Sequence, residues 1–148
     1  MPVSSFTDAR DTILSTFTTA WNAITPTVPP LLYEDSKQEV PDTQVSWARI
    51  QVRHNVFTQE TIGGRLSTGG GGRRFRRFGL VTVQIFTKAG DGLRTSDSLA
   101  KVALDAFEGV DAGADTIEFR NVRLNEIGRD GEWFQVNVLA EFEYDEIK

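Results

Sequence analysis

His54 is the single histidine in 148 residues and cysteine is absent, which narrows the catalytic and metal chemistry on offer. A Ser-His-Asp triad would have to be built around His54, because the hydroxyl nucleophile needs an imidazole to take its proton. Alternation along its segment sets His54 on the same face as Ile50, Val52 and Val56, the position of a histidine near the end of a core-facing strand. Without cysteine, a metal would depend on carboxylates. Glu141, Glu143, Asp145 and Glu146 could suggest a cation site. Glu141, Glu143 and Asp145, however, alternate along one strand face with no glycine-turned loop to converge them, which is the pattern of a solvated acidic face. The sequence thus nominates no catalytic residue, no metal site and no cofactor, and the expectation is a protein that is not an enzyme.

The remaining chemistry lies in Thr61 to Gly79, where Gly69, Gly70, Gly71 and Gly72 run directly into Arg73, Arg74, Phe75, Arg76 and Arg77. A phosphate-cradling P-loop needs a strand before it, a helix after it and a Gly-Lys-Ser/Thr ending. This run has no lysine beside it and leads into a strand. Arginines with an interleaved aromatic fit nucleic-acid contact better, since guanidinium groups bind phosphate and Phe75 could stack on a base. The plain alternative is a solvated hairpin tip. With Arg65 the segment carries five arginines and no acid, leaving 11 basic against 21 acidic residues elsewhere. An acidic body with one basic arm points to a partner surface, and such a body repels a polyanion.

The elements that position these residues follow from periodicity. Phe6, Ala9, Ile13, Phe17, Ala20, Trp21 and Ile24 recur at spacings of three and four, predicting a helix capped by Ser5 and stopped by Pro26. Leu31 to Asp35 reads as a short strand, and Val45 to Phe57 as a long half-buried one. Phe78 to Thr87 is a third, so the arm, at about residues 58–77, forms the open tip of a hairpin. A second helix carries Leu99, Val102, Ala103, Ala106 and Phe107 on one side, with Thr95 or Ser96 as cap and Gly109 as its left-handed close. Thr116 to Ile127 and Trp133 to Tyr144 complete the set, joined through an Asp130-Gly131 hairpin signal.

The order α-β-β-β-α-β-β argues for an α+β fold, with two helices on one face of a mostly antiparallel sheet. At 148 residues and 39% hydrophobic, residues 1–148 fit one domain, which at this size buries ~70% of its unfolded surface. No apolar run approaches the roughly 20 residues needed to cross a bilayer, and no signal-peptide pattern is evident, so the expectation is a soluble protein made in the cytoplasm.

The run from Arg76 to Phe107 (RRFGLVTVQIFTKAGDGLRTSDSLAKVALDAF) resembles the tail terminator, or tail completion, proteins of long-tailed bacteriophages. The resemblance extends through the amphipathic helix Ala9 to Ile24, the proline-rich turn, Tyr33-Glu34-Asp35 and the strand beginning Trp47-Ala48-Arg49. It covers nearly the whole chain and rests on element order and loose pattern; the Gly69 to Gly72 run departs from a minimal hairpin. It implies a non-enzymatic virion protein that forms a ring, typically a hexamer, on the last ring of the tail tube. Such a ring stops tube polymerisation, joins the tail to the head connector and leaves a lumen for DNA. A head-tail connector or neck component, and a nucleic-acid-binding module using the arm, are the alternatives.

On that reading Arg65, Arg73, Arg74, Phe75, Arg76 and Arg77 are expected at an inter-subunit or tube interface, with Gly69 to Gly72 as the flexible part of the arm. The last strand presents Gln135, Asn137, Glu141 and Glu143 on one face and Phe134, Val136, Val138, Ala140, Phe142 and Tyr144 on the other. The first set is a candidate lumen lining, because like charge keeps DNA from adhering, and equally an ordinary outer face.

Overall fold

A computed structural model describes residues 5–25, 27–34, 39, 45–59, 74–90, 92–112 and 116–147. Helix α1 spans Phe6–Asn22. Strands β1 (Leu31–Tyr33), β2 (Trp47–Gln59) and β3 (Arg74–Lys88) follow, then helix α2 (Arg94–Phe107). Strands β4 (Asp111–Ala112), β5 (Ile117–Asp130) and β6 (Trp133–Ile147) close the chain. The strands form one sheet in the order β1-β2-β3-β6-β5-β4. Among the described residues only the β1–β2 pair is parallel. The fold is α+β.

Helix α1 begins where the Ser5 side chain accepts from the Asp8 amide at 3.2 Å, satisfying one of the four donors that a helix start leaves open. Ala9, Ile13, Phe17 and Trp21 form its buried stripe. The stripe's first expected member, Phe6, stays exposed. Helix α2 buries Leu99, Ala100, Ala103, Ala106 and Phe107. Its start corrects the expected cap: neither Thr95 nor Ser96 serves, the N-cap is Leu93 without a side-chain bond, and Ser96 instead donates to the Leu93 carbonyl at 2.9 Å. Gly109, at φ 66°, does adopt the left-handed conformation expected after the helix.

Both helices pack on the sheet face carrying Ala48, Ile50 and Val52 of β2, Val81, Val83 and Ile85 of β3, and Val136, Val138, Ala140 and Phe142 of β6. Phe17 joins the two helices, stacking on Trp21 at 5.6 Å and on Phe107 at 5.7 Å. Each such side chain, fully buried, contributes ~1.5–3 kcal/mol of apolar transfer. The Trp21 indole donates to the Pro29 carbonyl at 2.8 Å, so its one polar atom is satisfied. On the opposite sheet face Trp47 stacks on Phe86 at 4.2 Å and meets Trp133 edge-on at 6.0 Å.

The longest ladder joins β3 to β6, unbroken from Arg74 opposite Ile147 to Lys88 opposite Trp133. Several expected boundaries move because of it. β3 begins at Arg74, four residues before the expected Phe78, and β2 runs on to Gln59, so residues 58–59 and 74–77 are ladder and not arm. The two-residue β4 adds an element absent from the expected order. The alternation expected from Val45 to Phe57 also breaks: a register shift between His54 and Val56 puts Phe57 opposite Arg77, so Phe57 joins the row of His54 and Tyr144. The shift faces Gly79, where a Cβ would overlap both the Arg53 carbonyl oxygen and the Phe142 ring.

Candidate interface at the arginine end of the central ladder

The first four residues of β3 alternate between the two sheet faces, and each face supplies them with carboxylates from β6. Arg74 and Arg76 lie on the face away from the helices and share Asp145. Arg74 Nε donates to Asp145 Oδ2 at 2.8 Å and Arg76 Nε to Oδ1 at 3.2 Å. Burial pushes the Asp145 carboxyl up, but hydrogen bonds and charge from Arg74 and Arg76 outweigh it and hold the group below its ordinary 3.8. Arg77, on the helix side, is buried; its Nε donates to Glu146 Oε2 at 3.1 Å. Its guanidinium also lies over the Phe57 ring at 4.2 Å and the Phe75 ring at 5.2 Å, where the ring quadrupole attracts a cation.

Beside this pair sits His54. Its Nε2 lies 2.7 Å from the Tyr144 hydroxyl, and Arg10 Nη2 comes within 3.5 Å of its Nδ1. A guanidinium can only donate, so Nδ1 must be the acceptor and the ring proton sits on Nε2, donating to the tyrosine oxygen. Phe6, Phe57, Phe142 and Tyr144 all meet the imidazole edge-on. Burial lowers the His54 pKa below 6.5, the charges of Arg10 and Arg77 lower it further, and Glu146 opposes them. The ring is neutral near pH 7. Burial and the Glu146 charge push the Tyr144 phenol up to about 12, so it stays protonated and accepts from His54 as a neutral group.

Arg65, Arg73 and Gly69 to Gly72 lie outside the described residues. Phe75 is half-buried. Arg74, Arg76 and Arg77 find in their own chain the carboxylates expected of a neighbour, and Arg77 is no surface group. Gln135, Asn137, Glu141 and Glu143 fall together on the face away from the helices, half-buried. That face is less acidic than β6 alone suggests: Glu143 pairs with Arg120, and Glu141 receives Asn121 and lies 3.8 Å from Arg123. Gln135 donates to Asn137 at 2.9 Å.

The Arg10–His54–Tyr144 chain has no local sequence signature beyond the face of His54. Its members come from α1, β2 and β6, and only the sheet order brings them together. Among the described residues no group of three or more His, Asp or Glu could hold a metal ion, and no helix is long and apolar enough to cross a membrane.

No protein-family model matches this chain, and no curated protein does. A solved structure of a protein carrying a sequence identifier and no functional description is similar over 92% of this chain and 92% of its own, at TM-score 0.65 and 15% identity. That likeness shows the fold alone.

Proposed function

We propose that the chain is a structural virion protein, a tail terminator of a long-tailed phage. Copies of it close into a homo-hexameric ring on the head-proximal end of the tail tube, after assembly in the host cytoplasm. The ring halts tube polymerisation and offers the surface for the head-tail connector or stopper protein, and DNA passes through it without specific binding. No catalysis or cofactor is involved.

The observation that carries this reading is the pair of incompletely covered sheet edges. Among the described residues β1 pairs only with Ala48 to Ile50 of β2, and β4 only with Ile117 and Glu118 of β5. Long stretches of β2 and β5 therefore keep backbone donors and acceptors free of a described neighbouring strand. Two unlike open edges suit head-to-tail contacts, which close into a ring when the rotation between copies allows. The resemblance of Arg76 to Phe107 supplies the rest: in this fold that run is β3, its turn and α2, the centre of the structure. Within such a ring, Arg65, Arg73, Arg74 and Arg76 reach a neighbouring copy or the tube, and the Gln135, Asn137, Glu141 and Glu143 face approaches the bore.

A neck-protein role uses the same ring-forming edges. A nucleic-acid-binding role using the arm is the alternative from a different class, and Arg77, buried against Glu146, is not available to it. Electron microscopy of the protein mixed with tail tubes tests the proposal: rings seated on tube ends are expected. A monomer that leaves tubes growing overturns it. DNA binding that weakens steeply with salt supports the nucleic-acid alternative instead.

A further inference from the structure

Between α1, β1 and β2, whose described pairing with β1 covers only Ala48 to Ile50, runs a cleft of about 490 Å³. Leu14, Ile50 and Val52 form an apolar floor, and Arg10 and His54 close one end. The Arg53–Glu34 ion pair on the rim is self-neutralising. Arg10 differs: it is exposed, its described partner is the uncharged His54, and no described carboxylate lies within ion-pair distance of it. The cleft thus offers a cation that no described carboxylate compensates, beside an apolar floor.

The backbone along the cleft points the same way. The Ala48 amide donates to Pro30 and the Ile50 carbonyl accepts from Glu34, so these residues turn their polar groups toward β1. By the two-residue alternation Val52 and His54 turn theirs to the same side. Among the described residues β1 ends at Tyr33, short of them. Beside His54, and edge-on to its ring, Phe6 at the start of α1 and Phe57 stand about half exposed, at 46% and 50%. Aromatic and arginine side chains clustered at a concave edge are the residue types that anchor protein interfaces.

We propose that this cleft is a docking groove for an extended segment of a partner protein. The segment adds to the edge of β2 beyond β1, sets an aliphatic side chain over Leu14 and Val52, and places a carboxylate, two residues away on the same face, against Arg10. The carboxylate matches the Arg10 guanidinium, the aliphatic group the floor, and the extended form the edge. The inference stands without the ring.

The test is isotope-edited NMR of the full chain titrated with an acetylated, amidated octapeptide of alternating valine and threonine carrying one central glutamate. Parallel titrations use the same peptide with glutamine in place of glutamate, and hexanoate. Amide shifts are expected at Val52, His54 and the first turns of α1, with the glutamine peptide about tenfold weaker. Arg10→Ala, an exposed helix position checked for folding by circular dichroism, should remove the glutamate preference and leave the glutamine peptide unaffected. No binding at millimolar peptide, shifts centred elsewhere, or an undiminished preference in Arg10→Ala overturns the proposal. Hexanoate reproducing the full shift pattern also overturns it, since the groove would then hold a small carboxylate without using the strand edge.

Discussion

Arg77 reaches diagonally across the β3–β6 ladder to Glu146, and both ends of the pair are buried, at 8% and 5% exposure. The neighbouring pairs of Arg74 and Arg76 with Asp145 stand in partial solvent. Similar chemistry, four residues of strand apart at most, therefore has two different energetic weights. Removing one partner of a buried pair leaves an uncompensated charge, at a cost of about 3–5 kcal/mol, whereas an exposed pair contributes ~0–1 kcal/mol. Arg77→Ala and Glu146→Ala should each lower unfolding free energy by about 3–5 kcal/mol in urea titrations, and Arg74→Ala or Arg76→Ala by about 1 kcal/mol or less. Equal effects at the three arginines would refute the distinction.

His54 gives the chain a pH dependence with a definite sign. Its folded pKa lies below 6.5, so between that folded value and 6.5 the unfolded chain binds more protons, and stability rises with pH. The contribution is complete above 6.5 and is lost as pH falls through the folded value. As the sole histidine, its imidazole gives one proton-NMR titration, expected to have its midpoint below 6.5. His54→Gln should flatten unfolding free energy over the same window. Asp145 does not interfere, because its depressed carboxyl loses its stabilising charge only below 3.8.

Gly79 tests the close approach of backbone and ring. Gly79→Ala forces its Cβ into the Arg53 carbonyl and the Phe142 ring, and overpacking of a filled site costs about 1–3 kcal/mol. Thermal denaturation should place this variant at the upper end of that range. Adding Phe142→Leu should recover only part of the loss, because the carbonyl clash persists. Full recovery would show that the ring alone demands glycine.

For the ring, the informative variant spares Arg77. With Arg65, Arg73, Arg74 and Arg76 changed to alanine the chain should still fold, since losing the partly solvated pairs of Arg74 and Arg76 with Asp145 costs about 1 kcal/mol or less each. Tube capping should fail, leaving overlong tails and heads without tails in electron micrographs. Val83→Asp and Phe107→Asp should instead fail at folding, since both positions are fully buried and each would bury an unpaired charge. Tubes of normal length from the four-arginine variant would reduce the arm to a solvated tip.

Periodic features were readable from the chain and pairwise ones were not. Ala9, Ile13, Phe17 and Trp21 repeat with the helical turn, and Val136 to Tyr144 alternate, because burial acts on each residue by its own face. The partner of Arg77 has no such local signature: Glu146 becomes its neighbour only once β3 lies antiparallel to β6. The bulge after His54 had one readable mark, the isolated Gly79 inside a strand pattern, a residue type that signals close approach or a register break. The cap of α2 was misplaced because Ser96, a good capping type, turns back to Leu93 from inside the first turn and is buried there.

The β3–β6 ladder also bears on how the chain reaches its fold. The β5–β6 hairpin closes through the tight Gly131–Glu132 connection, a local event. β3 can zip onto β6 only after α2, β4 and β5 have been accommodated between them in the chain, so the central contacts are distant in sequence. Sheets joined by such contacts fold slowly, since the entropy of closing the loop is lost before the ladder rewards it. Loop-closure entropy thus weighs on the step that buries Arg77 against Glu146 more than on the β5–β6 hairpin. Until that step happens, the inner edges of β3 and β6 are exposed strands, and folding at high concentration competes with pairing between chains.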